Sequence, residues 1–204
     1  MKDPTAVELT KKMLFIRATG DIDIKDIHLG MLKGYCQQFG IEFILRQVYN
    51  HDTLNQALHQ TNKVDYLLLG GHGESHGFGN NNGFEISWQQ LTDIICESNC
   101  LNSKAQVILY CCKGGQQKIA CSIIQSCPNI ENLIGVKEEY ESLDLLSGMF
   151  VFLYNRERMG MNPRKSMEKA SNATSIDFEF YAEDFVNSEG HLICQKCYEQ
   201  EENC

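Results

Sequence analysis

Two residues in glycine-rich turns carry the chemistry that this sequence offers: His72, within Gly71-His-Gly, and Cys112, ahead of Lys113-Gly-Gly. A thiol with an ordinary pKa of roughly 8.5 is only a few per cent thiolate at neutral pH, so a base beside it makes it a stronger nucleophile. An imidazole can take that proton and later give it to a leaving amine, a role worth roughly 10²–10⁴-fold in rate. The pair predicts covalent catalysis, with Cys112 as nucleophile and His72 as general base and acid.

Two apolar runs, residues 64–69 and 106–111, are the elements that must bring these side chains together. Both runs carry few polar groups, which is typical of interior strands in a parallel sheet covered on both faces. Neighbouring strands lie about 4.8 Å apart, and the carboxyl ends of parallel strands share the sheet edge where α/β folds place their chemistry. We therefore expect His72 and Cys112 to lie close together at that edge.

Each of the two positions has a rival nearby in the chain. Adjacent side chains on a strand point to opposite faces, so Cys111 and Cys112 cannot share one role. Cys112, next to the glycine turn, is the better-placed nucleophile, and Cys111 is expected to be a core thiol. His76 is the rival base, but it lies inside the glycine loop and is expected at the rim of the site. A metal site on His72 and His76, which are four residues apart, would need this segment to be helical, and the surrounding glycines oppose a helix.

The glycines beside the pair suit an oxyanion site. Gly73 and Gly114 let the backbone approach a substrate closely. Free amides there are suitable donors, and one such donor is typically worth roughly 10²–10³-fold in rate. We predict that the backbone amides of Gly73 and Cys112 form this site.

The rest of the chain alternates between strand and helix patterns. Strands are predicted at 13–18, 41–49, 64–69, 106–111, 132–136 and 178–181, and helices at 24–39, 52–60, 88–97, 116–125, 142–154 and 163–173. This alternation predicts a mainly parallel central sheet with right-handed crossovers and helices on both faces. We expect one domain over residues 1–190 and an acidic, cysteine-containing tail over 191–204.

Composition excludes several classes of protein. With 204 residues and 43% hydrophobic content, the chain is long and apolar enough to fold around a core. A net charge of -9 argues against nucleic acid or an anionic membrane surface as a partner. The sequence shows no signal-peptide pattern and no apolar run of membrane-spanning length. Several of the ten cysteines (Cys36, Cys96, Cys100, Cys121) fall in helical patterns, where we expect buried, reduced thiols and hence a cytoplasmic protein.

The two elements around the pair resemble the CHAT branch of caspase-like cysteine peptidases, a branch that separase also resembles. In that branch a hydrophobic strand ending in Gly-His-Gly precedes a hydrophobic strand ending in Cys-x-x-Gly, and here Gly71-His-Gly and the segment 107–115 match. The caspase signature Q-A-C-[RQG]-G is replaced by Tyr110-Cys-Cys-Lys-Gly. The resemblance implies a caspase-like three-layer α/β sandwich and an endopeptidase with a Cys–His dyad and no cofactor. It also implies a protein substrate and a bacterial antiviral defence or cell-death setting. Because the sequence shows no sensor domain and no recognisable long pro-segment, we expect control by a separate protein partner.

An acidic stretch after the fifth predicted strand bears on substrate choice. The resemblance implies that acids in this stretch hold a basic side chain of the substrate; the candidates are Glu138, Glu139, Glu141 and Asp144. The alternative is a solvated acidic turn that caps the next helix.

Three further alternatives remain open. The tail residues His191, Cys194, Cys197 and Cys204 are potential zinc ligands, but a single Cys-x-x-Cys is a weak signal, and we assign no metal site. The fold could serve as an interaction module whose dyad is idle, a pseudoenzyme. The chain could also be a different cysteine hydrolase or an acyl-transfer enzyme on the same kind of sheet.

Overall fold

A computed structural model describes residues 10–18, 24–182 and 184. In chain order the elements are β1 Lys11–Ala18, α1 Asp26–Gln38, β2 Ile41–Val48, α2 His51–His59, β3 Val64–Gly70, β4 His72–Gly73, β5 Gly77–Gly79, β6 Glu85–Ser87, α3 Trp88–Ser98, β7 Leu101–Tyr110, α4 Gln117–Ser126, β8 Ile130–Val136, α5 Ser142–Leu153, a π-helical turn Tyr154–Arg158, α6 Pro163–Thr174 and β9 Phe178–Ala182.

The central sheet has six strands in the order β2-β1-β3-β7-β8-β9. The first five run parallel, and β9 pairs antiparallel with β8. The interior strands are almost wholly buried, as their apolar runs predict: Leu67 and Leu69 face one side of the sheet, and Tyr66 and Leu68 face the other. The predicted mainly parallel α/β sheet is confirmed.

Helices cover both faces of the sheet and so complete three layers. One core packs α2, α3 and α4 against the sheet through residues such as Leu58, Leu91 and Ile123. The other packs α1, α5 and α6 through residues such as Leu32, Phe152 and Met167. Right-handed crossovers between parallel strands place helices in this way.

Residues 72–87, predicted as a strand end followed by a polar glycine loop, instead form a small antiparallel sheet in the order β4-β5-β6. Its glycines are required by close backbone contact. A Cβ on Gly79 would lie 1.9 Å from the Phe84 carbonyl oxygen, and one on Gly77 would lie 2.4 Å from that of Ile86. Strands made of glycine lack the apolar–polar alternation by which strands are recognised in sequence.

The expectation that Cys96 is a reduced thiol is wrong in this structure. Helices α3 and α4 pack side by side, and Cys96 near the end of α3 forms a disulfide with Cys127 at the end of α4, with 5.3 Å between their Cα atoms. Cys36 and Cys100 are buried and Cys121 is half-buried, outside any disulfide. Within the described part of the chain, no helix is both long enough and apolar enough to cross a bilayer.

Candidate active site

Strands β3 and β7 deliver the two predicted catalytic residues to one edge of the sheet. They are parallel neighbours, and their register sets Gly70 opposite Tyr110. His72 lies two residues after Gly70, and Cys112 lies two residues after Tyr110. The His72 side chain is 44% exposed, and Cys112 is half-buried, so both are accessible from the carboxyl edge of the sheet.

The His72 loop and the Cys112 turn touch through their backbones at Gly73. A Cβ on Gly73 would lie 2.0 Å from the carbonyl oxygen of Cys112 and 3.0 Å from the sulfur of Cys111. Cys111 is 2% exposed and belongs to the core that packs against α2, α3 and α4, whereas Cys112 is not buried. The two adjacent cysteines that follow β7 thus separate into a core thiol and a half-buried thiol.

The turn after Cys112 is anchored to β8 and β9. Lys113 has a φ of 57°, a left-handed conformation that non-glycine residues seldom adopt and that costs roughly 1–2 kcal/mol. The Gly115 amide donates to the Val136 carbonyl at 2.8 Å, and the Tyr181 hydroxyl donates to the Gly115 carbonyl at 2.9 Å. This anchoring holds the turn in a conformation that presents the Cys112 and Lys113 side chains at the sheet edge.

A row of ionic contacts connects the histidine loop, which carries His72 and Glu74, to the cysteine turn, which carries Cys112 and Lys113. One oxygen of the Glu74 carboxylate lies 3.2 Å from His72 Nε2, and the other accepts from Lys113 Nζ at 2.8 Å. Lys113 Nζ also lies 3.1 Å from Glu139. The Lys113 hydrogen bond, with a smaller contribution from His72, lowers the pKa of Glu74, and the two glutamates raise the pKa of Lys113.

Sequence reasoning missed Glu74. His72 and Glu74 are two residues apart, and in an extended segment that spacing places both side chains on one face. This signal was available, but it depends on recognising β4, which its glycines conceal. The start of α3 holds the same segment in place: the Trp88 indole N–H donates to the Glu74 carbonyl at 2.8 Å.

The rival base lies in the turn between β4 and β5. His76 Nε2 is 2.8 Å from a Glu85 oxygen, and its side chain is 65% exposed. The assignment of His76 to the rim of the site stays a prediction.

Three of the four predicted acidic residues lie in the segment between β8 and α5, and the fourth lies at the start of α5. The Cys112 thiol is 3.9 Å from the Tyr140 carbonyl oxygen, so this segment reaches the thiol at Tyr140. Glu138, Glu139 and Glu141 are exposed, and Glu139 already has Lys113 as its partner. Asp144 is exposed in the first turn of α5.

No metal centre is found among the residues that the structure describes: none of their His, Cys, Asp and Glu side chains form a group of three or more that could hold an ion. The potential zinc ligands His191, Cys194, Cys197 and Cys204 lie outside the described residues.

Comparison with known proteins supports the fold more than the chemistry. A family described as "Domain of unknown function (DUF8616)" matches residues 44–129, a segment that includes both His72 and Cys112. No curated protein sequence matches the chain. Two structures of SPT with PLP align with TM-scores of 0.33 and 0.32 at 13% identity, covering 64% and 65% of this chain and 30% and 31% of theirs; similarity this low carries no argument.

A solved structure of a cysteine proteinase shares the fold. The Arg-specific cysteine proteinase gingipain R aligns with a TM-score of 0.50 and 14% identity, over 79% of this chain and 42% of that chain. This chain therefore spans less than half the length of that structure. The matching family carries no CHAT description, so membership of the CHAT branch stays a prediction. The mainly parallel sheet flanked by helices is similar to the caspase-like fold of gingipain R.

Proposed function

We propose that this protein is a cysteine endopeptidase in which Cys112 is the nucleophile and His72 the general base and acid. One observation carries the proposal: adjacent parallel strands of a caspase-like fold bring an accessible thiol and an imidazole to the same sheet edge. Active sites of open α/β sheets lie at the carboxyl ends of the strands.

The proposed reaction has two steps through a thioester. His72 takes the thiol proton as the Cys112 sulfur attacks the scissile carbonyl carbon; the C–N bond then breaks, and His72 protonates the departing amine. In the second step His72 takes a proton from water, the resulting hydroxide attacks the thioester, and the C–S bond breaks. The thiolate recovers the proton from His72, which restores the starting state.

Backbone donors are proposed to stabilise the oxyanion of both steps. The amides of Gly73 and Cys112 belong to the two segments that touch at this point, where the Cys112 carbonyl packs against Gly73. Donors fixed by packing need no reorganisation during the reaction, which is why such sites are effective.

We further propose a preference for a basic residue before the cleaved bond. Glu138 and Glu141 extend from the segment that passes the nucleophile, and gingipain R, which shares the fold, is described as Arg-specific. Asp144 follows in the first turn of α5, and Glu139 is paired with Lys113. Peptides that differ only in having Arg, Asp or Ala at that position test the preference, and equal cleavage rates would remove it.

The biological setting is also a proposal. A protein substrate and a role in bacterial defence follow from the CHAT resemblance, and a cytoplasmic location follows from the cysteine usage. Control by a partner protein is a further part of the proposal. The Cys96–Cys127 disulfide opposes a reducing compartment, because cytosolic disulfides are rare in most organisms. Thiol labelling of the protein in its host cell, before and after reduction, tests the location.

The activity itself is tested with a proteome-derived peptide library, comparing wild type with Cys112→Ala and His72→Ala. We expect new peptide termini with wild type and at least a hundredfold fewer with either variant. If all three give the same termini, the dyad is idle, and the fold serves as an interaction module. Small esters cleaved much faster than any peptide would instead indicate a different cysteine hydrolase.

A further inference from the structure

The contact between Glu74 and His72 bears on which imidazole nitrogen carries the proton. A neutral imidazole has one N–H donor and one acceptor nitrogen, whereas an ionised carboxylate only accepts. Since Glu74 approaches Nε2 at 3.2 Å, the proton of the neutral ring belongs on Nε2, and Nδ1 is the acceptor.

The carboxylate is itself held in place from the cysteine turn. Its second oxygen accepts from Lys113 Nζ at 2.8 Å, and the ammonium is fixed from its other side by Glu139 at 3.1 Å. The Lys113 side chain is 29% exposed and that of Glu74 38%, so this pair is only partly screened by water. The left-handed turn at Lys113 therefore positions both the Cys112 side chain and the ammonium group that binds Glu74.

Two other charged side chains near this edge, His76 and Arg17, have partners of their own. His76 pairs with Glu85 at 2.8 Å within the small sheet. Arg17, at the end of β1, pairs with Asp26 at 2.6 Å. Among the described residues, Glu74 is the carboxylate in contact with His72.

We propose that Glu74, held by Lys113, is a positioning residue that keeps His72 in the tautomer with its proton on Nε2, so that Nδ1 accepts the Cys112 proton. This inference rests on the proposed peptidase dyad. It extends the dyad by one residue from the histidine loop and one from the cysteine turn. A base oriented by a third group is the general arrangement of activated nucleophiles.

The test measures the tautomer separately from the activity. In Cys112→Ala, which cannot react, the ¹⁵N shifts of His72 above its protonation range report how the proton is distributed between the two nitrogens. We expect the Nε2–H tautomer in this protein and a mixture after Glu74→Leu is added. Lys113→Met should give a smaller change in the same direction, and Lys113→Arg should restore the single tautomer.

Activity is then measured in the protein that retains Cys112. We expect Glu74→Leu to lower kcat about tenfold with little change in KM, since a charge-assisted hydrogen bond of this kind is worth about that factor. Two matched controls should leave both readouts unchanged. Glu85→Leu removes the carboxylate beside the other histidine, and Lys104→Met alters a second lysine with positive φ, located near the start of β7.

The outcomes separate the two proposals. An unchanged tautomer in Glu74→Leu overturns the positioning role, whatever the activity. If no protein with Cys112 cleaves any peptide but the tautomer responds as expected, the peptidase proposal fails and the Glu74 contact stands. A tautomer change of equal size in Glu85→Leu would show a general effect of charge and would also overturn the inference.

Discussion

At Gly73 the backbone that follows His72 packs directly against the backbone of Cys112. Alanine there would place a Cβ 2.0 Å from the Cys112 carbonyl oxygen, so one of the two backbones must move. We expect Gly73→Ala to lower peptidase activity at least about a hundredfold, because displacements of about 1 Å can cost that much. The free energy of unfolding should fall by about 1–3 kcal/mol, as for other overpacked sites.

Gly30→Ala is the matched control. Gly30 lies in α1, and a Cβ there would have no heavy atom within 4 Å. Alanine should leave activity unchanged and raise the free energy of unfolding by about 0.5–1 kcal/mol, because glycine is unfavourable inside helices. Full activity in Gly73→Ala would show that the loops need not touch for function.

The Glu74–Lys113 ion pair should make the stability of the folded state depend on pH. The pKa of Glu74 lies below its ordinary value of 4.5 because Lys113 donates to it, so the pair stabilises the folded state above pH 4.5. This stabilisation is lost as the pH falls through the lowered pKa. At the alkaline side, the raised pKa of Lys113 means that its contribution is complete below 10.5 and is lost as the pH rises beyond that.

The variant Lys113→Met checks this assignment. Without the ammonium, the ¹³C titration midpoint of the Glu74 carboxyl should rise toward the ordinary value, and added salt should then shift it less than in wild type. A midpoint that is the same in both proteins would mean that Lys113 does not hold Glu74 in solution.

Sequence reasoning reached the positions of individual residues only where strand ends determine them. The apolar runs before His72 and Cys112 predict neighbouring parallel strands, and the register of β3 and β7 agrees. The contact of His72 with Glu74 depends on side-chain reach across a glycine segment, and that of Lys113 with Glu139 depends on a left-handed turn. The left-handed turn has no periodic signature in the sequence, and the two-residue spacing of His72 and Glu74 is informative only once the segment is recognised as extended.

At the scale of elements, the disulfide between α3 and α4 should stabilise the folded state. It closes a loop with a sequence separation of 31, for which chain-entropy arguments give about 3–4 kcal/mol of stabilisation. Reduction should therefore lower the urea midpoint of the wild-type protein, as should Cys96→Ser/Cys127→Ser. In the double variant, reductant should have no further effect, and a continued response to reductant would contradict the assignment.

Element directions were predictable where one helix joins two strands. Each single-helix crossover returns the chain to the starting edge, which makes β1, β2, β3, β7 and β8 parallel. Between β8 and β9 the chain passes through α5, a π-helical turn and α6, and this extra reversal makes β9 antiparallel. The apolar spacing of α5 and α6 predicts two helices but does not show how they turn against each other.

For the whole molecule, we predict a single cooperative unfolding transition, as expected of one domain. The only tryptophan, Trp88, is buried beside the small sheet and donates to Glu74, so its fluorescence reports on the candidate site. Circular dichroism reports on all helices. The two urea transitions should coincide. An earlier fluorescence transition would show that β4, β5 and β6 unfold separately.

The most direct measurement of the central claim is covalent labelling of the nucleophile. A peptide chloromethyl ketone should modify one site per chain, found at Cys112 by mass spectrometry, and do so at least about a hundredfold more slowly in His72→Ala. Equal labelling rates in wild type and His72→Ala, or modification spread over other cysteines in place of Cys112, would contradict a dyad formed by these two residues.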